Sequence, residues 1–245
     1  RDLWSAAYPE TDIWSELKQI RNGRIVLTEE DEQSAKSSML SDLFKQQMLT
    51  EETSTLIEKL PINNFRLRFI NTIFPNARYI HIYRNALEVA RSIETRCNNG
   101  KWFANNKYKW DELVKIAHGN PDTEHLPDLC TSYYDKGLLE WRLSTDAAVM
   151  FLDGLSDERQ HELSYSELTN NPEEAVAQSL EFIGLDMEAM VRKFCQEIIR
   201  RKTSTLDTHV LTDKEIQIGG KLLERSIGTG GKRVTVRPRR LTYID

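Results

Sequence analysis

Hydrophobic positions recur along most of this chain every three or four residues, the spacing of a helix with one buried face. Met39, Leu40, Leu43, Phe44 and Met48 make one such stripe within Thr28 to Lys59, a stretch that reads as helical. Thr28 is placed to cap it, and Glu29, Glu30 and Asp31 suit the positive end of its dipole. Phe65, Phe69, Ile70 and Ile73 form the next stripe, which stops at the turn signal Pro75-Asn76. There the period changes from helix to strand. From Arg78 to Tyr83, Tyr79, His81 and Tyr83 alternate with Ile80 and Ile82, and a second helix is expected from about Ala86. His81 on this strand reads as a hydrogen-bonded core histidine.

Asn99 to Leu129 is the least regular segment, rich in Asn, Lys, Trp and Pro, and reads as a long binding loop or lid. Its aromatics, around Trp102 and Phe103, suit either an acceptor dock or packing that ties the loop down. Tyr133 to Leu155 reads as one long helix, with Leu138, Leu139, Trp141, Leu143, Ala147, Val149, Met150 and Leu152 as core. The run His161 to Leu168 follows it. Asn171-Pro172 then opens a helix, and Gly184 closes it by the usual start and stop chemistry. Alternation of strand and helix predicts a helix-rich α/β domain.

Arg84 stands at the carboxyl end of the first strand, where open α/β sheets bind ligands and helix N-termini favour anions. Glu88, Ser92 and Arg96 are four residues apart and share one face of the following helix. Arg84, Ser92 and Arg96 can therefore converge on one charged group. A guanidinium fork, a hydroxyl and a second guanidinium suit a phosphate monoester. An ordinary loop arginine and an ordinary helical serine fit the spacing equally well.

The stretch Glu58-Lys59-Leu60-Pro61, Asn63-Asn64, Phe74-Pro75-Asn76-Ala77-Arg78, Arg84-Asn85 and Ser92 resembles the sulfotransferases that use 3'-phosphoadenosine 5'-phosphosulfate. The likeness is to the bacterial type, and Arg96 and Tyr165 add features of the tyrosylprotein branch. It runs from about Glu58 to Thr212. The resemblance implies a three-layer α/β/α fold with a central parallel sheet, similar to that of P-loop proteins. It implies that Arg84, Ser92 and Arg96 hold the cofactor's 3'-phosphate and that Tyr165 lies close to the nucleotide. By the same resemblance Glu10, in the Glu10-Thr11 pair, is the general base, with Glu16 as a rival, and Lys59 is the cation near the sulfuryl group. Lys202 and Ser204, in the run from Arg200 to Thr205, match a stretch that folds over the 3'-phosphate; that run also suits the C-terminal dipole of the helix before it. Ser166 departs from the pattern, because an acidic residue is usual there.

Members of the family also carry an early strand and a Pro-Arg/Lys-Ser-Gly-Thr-Thr phosphate loop, and no such loop occurs in these 245 residues. The expectation is that it precedes Arg1. The Gly228-Thr229-Gly230-Gly231-Lys232 run reads as a turn or tail. One domain is expected over residues 1–224, followed by a basic tail over 225–245.

Composition narrows the remaining choices. A net charge of -5 argues against a general nucleic-acid binder, and 39% hydrophobic residues permit a sizeable core. No stretch approaches the roughly 18 apolar residues of a membrane span. Cys97, Cys130 and Cys195 lie too far apart for a metal site and read as reduced thiols of a cytoplasmic protein. No metal is expected, and His118, His125, His161 and His209 lack ligand spacing. The acceptor is expected to be a hydroxyl on a sugar, lipid, metabolite or peptide. A nucleotide kinase-like P-loop phosphotransferase and a non-catalytic nucleotide-binding or interaction domain are the competing classes.

Overall fold

The computed structural model describes residues 2–13, 23–104 and 107–197. In chain order its elements are α1 (Asp2–Ala7), α2 (Ser34–Thr50), α3 (Leu67–Ile73), β1 (Tyr79–Tyr83), α4 (Ala86–Asn98), α5 (Lys107–His118) and α6 (Tyr133–Leu152). They continue with β2 (Gln160–Ser164), α7 (Tyr165–Asn170), α8 (Pro172–Ile183) and α9 (Ala189–Glu197). The two strands are parallel and in register, Tyr79 beside Gln160 through Tyr83 beside Ser164. Helices cover both faces. On one, Tyr79 meets Phe151 of α6 edge-on at 5.1 Å, and the Gln160 amide donates to the carbonyls of Leu152 and Leu155. On the other, His161 stacks on Phe182 of α8 at 5.4 Å. This is the helix-rich α/β/α arrangement expected from the alternating pattern.

Two apolar clusters join the helices to one another. One joins α4, α5 and α6 through Ala90, Ile93, Leu113, Leu138 and Leu139. The other joins α1, α2 and α3 through Trp4, Tyr8, Leu40, Phe44 and Phe69. The α4–α6 contact is unusually close, because Gly137 leaves room for Ala90. A Cβ on Gly137 would lie 3.0 Å from Ala90 Cα and 3.3 Å from Ile93 Cβ. Arg66, almost fully buried, ties residues 11 and 24–25 to the start of α3 by donating to the carbonyls of Thr11, Arg24 and Ile25. Burial pulls its pKa down to about 10, so the side chain remains a cation at neutral pH.

Several boundaries differ from the sequence reading. Thr28 to Lys59 is not one helix: Thr28 opens a single 3-10 turn, Glu29–Asp31, with the Asp31 carboxylate accepting from the Thr28 N–H at 2.9 Å, and the turn ends where Glu32 becomes extended, φ -66° and ψ 135°. α2 starts afterwards and ends at Thr50, and Glu52 has a left-handed φ of 51°. Met39 and Met150, read as core, are exposed. The long helix stops at Leu152, three residues short of the predicted end. Residues 99–129 contain α5, whose buried positions include Lys109 and Glu112 besides Leu113 and Ala117. Charged residues on the buried face concealed its helical period. Gly184 closes α8 with φ 80°, as expected, and Arg78 donates to the Phe182 carbonyl at that helix end.

Candidate functional site

Register brings two predicted residues together. Tyr83 and Ser164 are paired at the carboxyl ends of the strands, so the next residues, Arg84 and Tyr165, emerge side by side. The Arg84 guanidinium lies 4.6 Å over the Tyr165 ring. Its Nε donates to Glu88 Oε2 at 2.9 Å, and the indole of Trp141 on α6 donates to the Arg84 carbonyl at 2.9 Å. Asn85 caps α4 by accepting from the Leu87 N–H. The backbone carbonyl, the Nε edge and the guanidinium face of Arg84 are thus each held by a different element. Its two Nη groups make no hydrogen bond among the described residues.

Ser92 follows Glu88 by one turn of α4, roughly 6 Å along the axis. Its side chain is exposed. Arg96, one turn further, is exposed and lies 5.8 Å over Trp102. Its cation–π contact is with that ring. Arg84 thus stands just before α4 and Ser92 nearly two turns into it. Carboxylates temper the positive potential there: Glu88 touches Arg84, and burial together with Glu167 and Glu162 pushes the Tyr83 hydroxyl up.

Among the described residues, Glu10 and Lys59 make no hydrogen bond or ion pair with Arg84 or Tyr165. Glu10 lies in a 3-10 turn, pairs with Lys36 at 3.0 Å and accepts from the Arg24 N–H through its carbonyl. Its polar contacts share no residue with those of Arg84. Lys59 is exposed and precedes the turn Pro61–Phe65. Lys202, Ser204, Glu16, the glycine run at 228–232 and the basic tail lie outside the described residues. His81, read as hydrogen-bonded, has a buried Nδ1 without a hydrogen-bond partner among the described residues; Glu162 is 3.7 Å away.

Within residues 99–104, Trp102 and Phe103 pack down. Phe103 is buried, and Trp102 donates to Glu140 at 2.8 Å, which also binds the buried Lys109. Spacing gave no hint of this network, since Glu140 and Lys109 sit on different helices. Glu88 was visible at i+4 from Arg84, yet Arg84 precedes the helix, where the pairing rule is silent. Among the described residues no group of His, Cys, Asp or Glu has the geometry of a metal site, and no helix is long and apolar enough to cross a membrane.

A parallel α/β layer with an arginine at its carboxyl edge has the geometry in which open α/β domains take ligands. The sequence profile described as Sulfotransferase family matches residues 13–189, so the chain belongs to the sulfotransferase family. It is also 28% identical over 181 residues to an uncharacterized protein of Aquifex aeolicus, covering 74% of this chain and 20% of that protein. Among solved structures it is similar to a sulfotransferase domain from the curacin biosynthetic pathway: TM-score 0.43 and 18% identity, over 77% of this chain and 65% of that one. The chain thus spans about a fifth of its curated relative and under two thirds of that solved domain.

Proposed function

We propose that this chain moves a sulfuryl group from 3'-phosphoadenosine 5'-phosphosulfate to a hydroxyl acceptor, leaving 3',5'-adenosine bisphosphate. The observation that carries the reading is the open Nη fork of Arg84, held at the carboxyl end of β1 beside Tyr165 and eight residues before Ser92. The residues fit the nucleotide: a fork for two phosphate oxygens, an exposed hydroxyl, and an aromatic ring at the same edge. When bound, the donor supplies the activated sulfuryl group. Arg84 and Ser92 hold its 3'-phosphate, Arg96 adds positive potential, and Tyr165 borders the nucleotide. Glu10 takes the proton of the acceptor hydroxyl, and Lys59 offsets charge near the transferred group. Lys202 and Ser204 complete the 3'-phosphate site. One domain over 1–224 with a basic tail over 225–245, acting in the cytoplasm without a metal, completes the proposal; the three free cysteines suit a reducing compartment. Sugars, lipids, small metabolites and peptides all offer the required hydroxyl.

Calorimetric titration of the full chain tests this. Binding of 3',5'-adenosine bisphosphate that weakens about 10- to 100-fold in Arg84→Ala supports it, the loss of a charged hydrogen-bonding group having that size. Preference for ATP with magnesium, or no nucleotide binding at all, overturns it.

A further inference from the structure

We propose that Glu88 is a positioning residue that turns the outer edge of Arg84 toward the nucleotide's 3'-phosphate and so sets the preference for nucleotides carrying that phosphate. The inference rests on Arg84 binding a 3'-phosphate. A guanidinium can offer either its Nε/Nη side or its Nη/Nη end to an oxyanion, and a flexible arginine samples both. Here Glu88 accepts from Nε at 2.9 Å, so the side edge is occupied and the end remains. Tyr165 covers the guanidinium plane at 4.6 Å, which limits rotation out of that edge. The Trp141 indole holds the Arg84 carbonyl, so the side chain swings from a fixed root. Both partners are little exposed, 17% for Arg84 and 16% for Glu88, so water does not readily replace the contact.

The carboxylate has a second, opposing effect. A negative charge beside Arg84 lowers the potential that a dianion meets. If that effect dominated, Glu88 would be a competitor and its removal would tighten binding. The two roles separate in Glu88→Gln, because a glutamine carbonyl oxygen still accepts from Nε but carries no charge. They separate again in Glu88→Asp, which keeps the charge and withdraws the acceptor by one methylene.

The test compares dissociation constants of 3',5'-adenosine bisphosphate and adenosine 5'-phosphate in the full chain, wild type and variants. Their ratio isolates the 3'-phosphate. Wild type prefers the bisphosphate and Arg84→Ala brings the ratio close to one. Glu88→Ala and Glu88→Asp lower the ratio about tenfold, Glu88→Gln keeps it within about threefold of wild type, and affinity for adenosine 5'-phosphate hardly changes. A general loss of folding would depress both ligands alike and be seen by circular dichroism; Glu88→Asp and Glu88→Gln then decide between positioning and competition. An unchanged or increased ratio in Glu88→Ala, or equal losses in Glu88→Gln and Glu88→Ala, overturns the positioning role while leaving Arg84 in place. A wild-type ratio near one overturns the reading of the site itself.

Discussion

Replacing Gly137 by alanine tests how firmly α4, which carries Ser92 and begins beside Arg84, is seated on α6. The new Cβ would lie 3.0 Å from Ala90 Cα, 3.2 Å from Ala90 O and 3.3 Å from Ile93 Cβ. Two of these three are backbone atoms of a helix and cannot turn aside, so the helices must part by a few tenths of an ångström. Overpacking of this kind costs about 1–3 kcal/mol. Alanine offsets about 1 kcal/mol of that, because glycine is the poorer helix former in the middle of α6. The net expectation is a loss of roughly 1 kcal/mol, read as a lower urea midpoint at unchanged slope. Gly154→Ala is the control: its Cβ would meet Phe151 O at an ordinary 3.6 Å, and stability should stay within about 0.5 kcal/mol of wild type. Stabilisation of Gly137→Ala by about 1 kcal/mol, the value for an uncrowded helical glycine, would refute the close approach.

Other expectations follow from the buried polar groups. Arg66→Met leaves the carbonyls of Thr11, Arg24 and Ile25 without their donor and should cost about 3 kcal/mol in urea unfolding. Glu140→Ala removes the carboxylate that pairs with the buried Lys109 and accepts from the Trp102 N–H, with an expected loss of about 3–5 kcal/mol; the double variant Glu140→Leu/Lys109→Met should be more stable than Glu140→Ala alone. Burial raises Tyr79 from 10.0 to about 12 and Cys130 from 9.0 to about 12. Each group keeps its proton in the folded chain while the unfolded chain ionises, so stability should fall as pH rises from about 9 to 12. Tyr79→Phe should flatten that fall above about pH 10, and an unchanged alkaline slope would contradict the assignment.

The strand and its arginine were legible because Tyr79 to Tyr83 alternates cleanly and ends at a polar break, and because Asn85 is a good cap. The pairing of Arg84 with Tyr165 was legible only through family resemblance. Its physical cause is strand register, a long-range fact that no local pattern encodes. α5 was missed because Lys109 and Glu112 occupy buried positions, one of them satisfied by Glu140 on another helix. The overlong helix at Thr28 has the opposite origin. Correct capping residues open the segment, but the backbone is extended at Glu32 and Gln33, so the helix restarts only at Ser34.

The most direct measurement is a crystal structure of the full chain with 3',5'-adenosine bisphosphate. The site described above predicts 3'-phosphate oxygens within about 2.7–3.2 Å of the Arg84 Nη atoms and the Ser92 hydroxyl, with Glu88 still on Nε. A 3'-phosphate bound at another edge of the sheet, with the Arg84 fork turned away from it, would contradict that prediction.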